Sequence, residues 1–159
     1  MPECLTPLAP HEATVTLREI TKDTVAAVCH LQVAADQREY VPENAFSIAQ
    51  AYFEPKAWFR AIYADEAPVG FLMLFDDPAA PVYYLWRLMI DAAHQGKGFG
   101  RRAVMLLVEY VRSRPAACEL LVDYHPGLHS PRAFYLKQGF RDTGRMEDGD
   151  VVLSRPLDG

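Results

Sequence analysis

The stretch Gln95-Gly96-Lys97-Gly98-Phe99-Gly100-Arg101-Arg102 decides how this chain is read. It follows an apolar, aromatic strand over Tyr83–Ile90 and opens a helix predicted from about Gly98 to Arg112. In that helix Val104, Leu107, Val108 and Val111 keep the i, i+3, i+4, i+7 spacing of a buried face. Glycines at such a junction let the backbone approach a ligand and adopt conformations that a side chain forbids. A helix start offers unpaired N–H groups and the positive end of its dipole, and Lys97, Arg101 and Arg102 add formal charge. This is the pattern of an anion site, with a pyrophosphate as the natural occupant. No Gly-Lys-Ser/Thr follows a four-residue spacer, so a Walker loop does not fit. Gly96 and Gly98 match two positions of a dinucleotide fingerprint, but Arg101 stands at the third glycine position. Glu119 falls about where a ribose-binding acid would lie, so that option is weakened and stays open at this point.

The rest of the chain supplies the frame. The 159 residues are 50% hydrophobic and 23% charged, the composition of one ordinary folded domain. The longest wholly apolar run is Ala103–Val108, too short to span a membrane. Met1-Pro2-Glu3-Cys4 has neither the basic region nor the apolar core of a secretory signal. Cys4, Cys29 and Cys118 are odd in number and widely spaced, which excludes a disulfide scaffold and a zinc module. These features lead to the expectation of a cytoplasmic protein.

Residues 1–13 read as a flexible N-terminal tail and 14–159 as a single domain. Val15–Arg18 reads as a strand, Thr21 as the cap of a helix to about Ala35, and Ser47-Ile48-Ala49-Gln50 as a capping box opening a second helix. Trp58–Ala64 and Val69–Phe75 form a hairpin around Asp65-Glu66-Ala67-Pro68. Glu119–Tyr124 is a strand, 130–138 a helix with Pro131 in its first turn, and two closing strands surround Glu147-Asp148-Gly149-Asp150. The order β α α β β β α β α β β predicts a mixed α/β domain.

The net charge of −5 is uneven. Residues 94–114 carry +4 and residues 1–93 carry −7. An acidic body with one basic island argues against a nucleic-acid partner, and suits a local anion site with a cationic partner elsewhere.

With these residues in view, the chain resembles the GNAT superfamily of acetyl-CoA-dependent N-acetyltransferases over about residues 14–155. Gln95 to Gly100 matches that superfamily's Gln/Arg-x-x-Gly-x-Gly/Ala loop, and Leu88-Met89-Ile90 its splayed strand. Ala133-Phe134-Tyr135-Leu136-Lys137-Gln138-Gly139-Phe140 matches the later motif in which a helix tyrosine is followed by Gly-Phe. In a narrower sense Gln37 to Asn44, Ser47 and Arg87 to Asp91 resemble bacterial spermine/spermidine acetyltransferases.

The resemblance implies a GNAT-like, mostly antiparallel sheet with a splayed central strand pair and flanking helices. It implies acetyl-CoA as co-substrate, held by Leu88, Met89, Ile90, Gln95, Gly96, Lys97, Gly98, Phe99, Gly100 and Arg101. A backbone N–H around Met89 polarises the thioester, and Tyr135 returns a proton to the departing thiolate. Many relatives have asparagine where this chain has Leu128, which leaves Ser130 to cap the helix and touch the cofactor. Relatives that use a carboxylate base on the central strand would place it near Tyr84, so the base falls to Glu39, Asp91 or solvent.

The expected reaction is direct transfer of acetyl to a primary amine, with a polyamine such as spermidine or spermine as acceptor. Glu39, Tyr40 and Tyr84 are its expected contacts, and Trp86 offers a further aromatic face for an ammonium. The alternatives are a protein or peptide amine, an antibiotic amine, or a non-catalytic acyl-CoA-binding regulator. Many relatives dimerise, which leaves a homodimer open. No metal site is expected: Pro126-Gly127 breaks any helical presentation of Asp123, His125 and His129. Cys29 and His30 diverge on a helix and form no nucleophile–base pair.

Overall fold

Antiparallel pairing dominates the sheet, and short turns join three of the six consecutive pairs of described strands. The computed structural model describes residues 12–157. In chain order these form β1 (Val15–Arg18), α1 (Val25–His30), α2 (Asn44–Phe53), β2 (Ala57–Ala64), β3 (Ala67–Asp77) and β4 (Val82–Ile90). There follow α3 (Phe99–Arg112), β5 (Glu119–Tyr124), α4 (Arg132–Lys137), β6 (Arg141–Glu147) and β7 (Asp150–Pro156). Short 3-10 turns at Ala35–Gln37 and Ala92–His94 complete the described elements. The described strands form one sheet in the order β1-β2-β3-β4-β5-β7-β6, antiparallel except where β4 meets β5. Among the described residues no helix is long and apolar enough to cross a membrane.

Each sheet face carries its own core. On one, Ala103, Val104, Leu107, Val108 and Val111 of α3 pack on Ile62, Leu72, Leu85 and Leu120. On the other, Val28 of α1 and Ile48 of α2 pack on Ala61, Phe71, Met73 and Met89. A bulge in β4 sets which residues face which core. Met73 pairs with Arg87 and Leu74 with Leu85, so Trp86 is the extra residue. The added residue shifts the alternation. Tyr83, Leu85, Leu88 and Ile90 share the α3 face, whereas Trp86 and Met89 turn to the other.

Two helices depart from the sequence expectation. α1 ends at His30 rather than near Ala35, because Leu31 turns extended and the next residue is tied to the loop after β4. There the Gln32 N–H donates to Asp91 Oδ1 at 2.9 Å, and Gln32 O accepts from the Ala92 N–H at 2.8 Å. These long-range bonds replace a helical turn. Thr21 does not cap α1 with its side chain; its carbonyl accepts from Thr24 and Val25. α2 begins at Asn44, three residues before the apparent capping box. Ser47 is buried inside the helix, and buried Asn44 donates through Nδ2 to Val28 O at 2.9 Å, pinning α2 to α1. Of the tail expected over 1–13, residues 1–11 lie outside the described residues, and Ala13 O accepts from Arg102.

Candidate active site

The parallel pair β4–β5 holds for two residues, Tyr84 with Leu121 and Leu85 with Val122, and then parts. The gap is a cleft of about 830 Å³. Beyond Leu85 the β5-facing edge of β4 has no strand partner among the described residues. Its polar groups are assigned by register: the Asp91 N–H donates to Val69 O at 2.8 Å, so residues 91 and 89 point their N–H groups at β3. Leu88 and Ile90 therefore point theirs into the cleft. Ile90 O, which accepts from Gln95 Nε2 at 2.9 Å, agrees with that alternation. The donor expected around Met89 thus belongs to its neighbours, and Met89 itself is buried.

At one end of the cleft lies the glycine loop. Gly96 (φ 77°) and Gly98 (φ 79°) are left-handed, and a Cβ at either would meet nothing within 4 Å, so backbone conformation selects glycine there. Gly98 is the N-cap of α3 and supplies no side-chain cap, leaving the first-turn N–H groups for a ligand. Gly96, Gly98, Phe99, Gly100 and Arg101 all line the cleft. Lys97 is exposed beside it and is not part of the lining. Arg102 is turned away, onto Ala13 O, Glu12 and the Phe99 ring. Gln95 lines the cleft while its amide bridges Ile90 O and Gln37 Oε1. Left-handed glycines, an uncapped helix start and an open strand edge fit a phosphate followed by an extended amide-bearing arm.

Mid-cleft, Tyr135 projects from α4. Gly139 (φ 88°) ends that helix, and Phe140 folds back so that its ring meets Tyr135 at 5.4 Å. This is the physical content of the tyrosine and Gly-Phe spacing. Tyr135 is 6% exposed, and burial first, then the charge of Asp123, push its hydroxyl well above the ordinary phenol value. Asp123, on β5, also lines the cleft. Burial raises its carboxyl above the usual range, helped by Asp150 and Glu147 and opposed by the Tyr84 hydroxyl and Arg87. In the sequence Asp123 stands out only as a metal-ligand candidate, because its desolvation depends on residues far from it in the chain. Among the described residues no group of His, Cys, Asp and Glu is arranged to hold a metal ion.

The other expected residues divide. Glu39, Tyr40 and Ser130 line the cleft. Tyr84 does not: it sits behind Asp123 and donates to it. Ser130 does not cap α4, whose N-cap is Pro131 with no side-chain hydrogen bond. Leu128, at the position of the relatives' asparagine, is exposed. Asp91 is outside the lining and accepts from the N–H groups of Gln32 and Ala93. Arg87 lines the cleft but is held by Trp86 O and by Gln50 Oε1 of α2, both at 3.0 Å.

Residues 23–140 match the acetyltransferase (GNAT) family. The spermine/spermidine N(1)-acetyltransferase of Bacillus subtilis (strain 168) is 24% identical over 155 residues, covering 90% of this chain and 99% of that protein. The crystal structure of an acetyltransferase from Thermus thermophilus has a TM-score of 0.70 at 21% identity, covering 92% of this chain and 99% of the other. A Bacillus subtilis acetyltransferase solved in complex with CoA has a TM-score of 0.65 at 17% identity, with 92% and 100% covered. At these identities the two solved structures show a shared fold.

Proposed function

The chain belongs to the acetyltransferase (GNAT) family and is an acetyl-CoA-dependent N-acetyltransferase; we propose that its acceptor is a polyamine such as spermidine or spermine, whose amine attacks the thioester directly in the β4–β5 cleft. The observation that carries this reading is the pairing of an anion cradle at Gly96–Arg101 with a half-buried carboxylate, Asp123, in one cleft. Bound acetyl-CoA supplies the activated acetyl group. The glycine loop and the α3 N-terminus hold its phosphates, and the open edge of β4 holds its arm.

The residues of the chain do the rest. The N–H groups of Leu88 and Ile90 face the place where a carbonyl oxygen gains charge. Asp123 takes the proton that the amine must lose, directly or through one water, and its raised carboxyl is a stronger base than an exposed aspartate. Tyr84 holds Asp123 in place at 3.3 Å. Tyr135 stays protonated across the neutral range and gives its proton to the leaving thiolate. Glu39, Asp123 and Asp150 give the acceptor end a negative lining, and Tyr40 and Trp86 add aromatic faces for an ammonium. This charge and the named relative support a polycation as acceptor.

The test is thiol release from acetyl-CoA with spermidine, spermine, a lysine peptide and an aminoglycoside as acceptors. Turnover led by the polyamines is expected. Turnover led by the peptide or the aminoglycoside replaces the acceptor and keeps the chemistry. No turnover with any amine, beside measurable CoA binding, overturns the reading in favour of another acceptor or a sensor.

A further inference from the structure

β4 keeps β3 where it leaves β5. Its pairing with β3 runs through Gly70 and Ile90 and on to the Asp91 N–H, which donates to Val69 O at 2.8 Å. Its pairing with β5 stops at Leu85. On β3 this stretch carries two local departures. Ile62 pairs with Gly70 and Tyr63 with Pro68, so Val69 is an extra residue in β3. Beside that bulge, Gly70 lies so close to β4 that a Cβ there would overlap the Met89 carbonyl oxygen. The same Cβ would stand 2.8 Å from Ile90 Cδ1 and 3.1 Å from Ile62 Cδ1. The two isoleucine tips can turn aside, but the Met89 carbonyl is backbone and yields only if the strand moves. Gly70 is not left-handed, unlike Gly96 and Gly98. Glycine is thus required at 70 by the approach of β4 and not by its own φ.

We propose that Gly70, outside the cleft, is a positioning residue for acetyl-CoA: by admitting the Met89 carbonyl it lets β4 lean onto β3, and so aims the Leu88 and Ile90 N–H groups at the cofactor's arm. Leu88 and Ile90 flank Met89 in the chain, so a Cβ at 70 that drives Met89 off β3 moves both donors with it. Hydrogen bonds weaken steeply as their angle and length depart from the optimum, so a small displacement of the strand is felt at the arm. The phosphate cradle has separate support. α3 packs into the core through Phe99 and Ala103, and the bonds of Gln32 to Asp91 and Ala92 fasten the chain between β4 and the glycine loop. Loss of Gly70 therefore separates the two ends of the cofactor: the arm loses its donors while the phosphates keep theirs.

The experiment titrates the wild type and Gly70→Ala with CoA and with 3′-phospho-ADP, the nucleotide end of CoA without its arm, and follows amide hydrogen exchange in the same samples. CoA affinity should fall about tenfold in the variant, the worth of two hydrogen bonds, while nucleotide affinity stays as it was. CoA should protect the amides of Leu88 and Ile90 in the wild type and not in the variant, and those of residues 98–101 in both. Unchanged CoA affinity overturns the role of Gly70. Equal loss for CoA and the nucleotide, or loss of protection at both places, overturns it too, because it marks a general disturbance of the fold. Should crowding stop Gly70→Ala from folding, Gly70→Ala/Ile90→Val is compared with Ile90→Val, which removes the nearer tip and leaves the Met89 carbonyl in the way. The same selective loss is expected there, and CoA affinity equal to that of the Ile90→Val parent overturns the proposal. Every readout is cofactor binding, so the outcome is independent of which amine accepts the acetyl group.

Discussion

The Tyr84 hydroxyl donates to Oδ2 of Asp123 at 3.3 Å, across the last rungs where β4 and β5 still pair. The donor favours the ionised carboxylate while burial opposes it, so Tyr84 holds down a pKa that its surroundings push up. A base acts when ionised, so activity should be lost as pH falls through the raised Asp123 value. Tyr84→Phe should move the acid limb of the kcat/KM profile to higher pH. A limb that does not move removes Tyr84 from the tuning of Asp123.

Asp123→Asn should lower kcat about a hundredfold or more while acetyl-CoA binding, read by titration calorimetry, is retained. The same change should raise Tm at neutral pH by about 2 °C. The sign follows from linkage. With the folded pKa above the unfolded one, the native state binds more protons between the two values, and stability falls as pH rises through that window. Asparagine removes the loss. Full activity in the variant would exclude Asp123 as the base.

Tyr135→Phe should cut kcat by about tenfold to a hundredfold, keep CoA affinity and leave the fold intact, since the ring contacts with Phe134 and Phe140 remain. Wild-type turnover in the variant would reduce Tyr135 to a packing residue.

Gly98→Ala meets no neighbour and should cost about 1–2 kcal/mol through its left-handed backbone alone, visible in urea unfolding. Gly98→Glu adds a negative charge at the start of α3 and should abolish CoA binding. Retained affinity in the glutamate variant would sink the assignment of this loop to the phosphates.

Away from the cleft, Tyr110 stacks on Trp58 at 4.1 Å and donates to Asp76 Oδ2 at 2.8 Å, while burial and that carboxylate push its hydroxyl up to about 12. Tyr110→Phe keeps the stack and leaves Asp76 to Arg114. It should destabilise the protein by about 1 kcal/mol without touching kcat. A change in kcat would couple this edge of the sheet to the cleft.

The residues themselves determined whatever is encoded within a few positions. Gly96 and Gly98 select a left-handed backbone, the spacing from Val104 to Val111 makes α3 amphipathic, and the Tyr135–Gly139–Phe140 spacing ends α4 on its own tyrosine. Those signals were legible because each is set by the φ of one residue or by contacts one helical turn apart. Tertiary structure decided the rest. Asp91, seemingly a surface carboxylate, shortens α1 by binding Gln32, 59 positions away in the chain. Trp86 becomes a bulge only in register with β3, and that register hands the cleft-facing N–H groups to Leu88 and Ile90 instead of Met89. Asp123 becomes a base candidate only when packing strips water from it and brings Tyr84 alongside. Desolvation and long-range register arise from segments distant in sequence, and no local pattern of residue types records them.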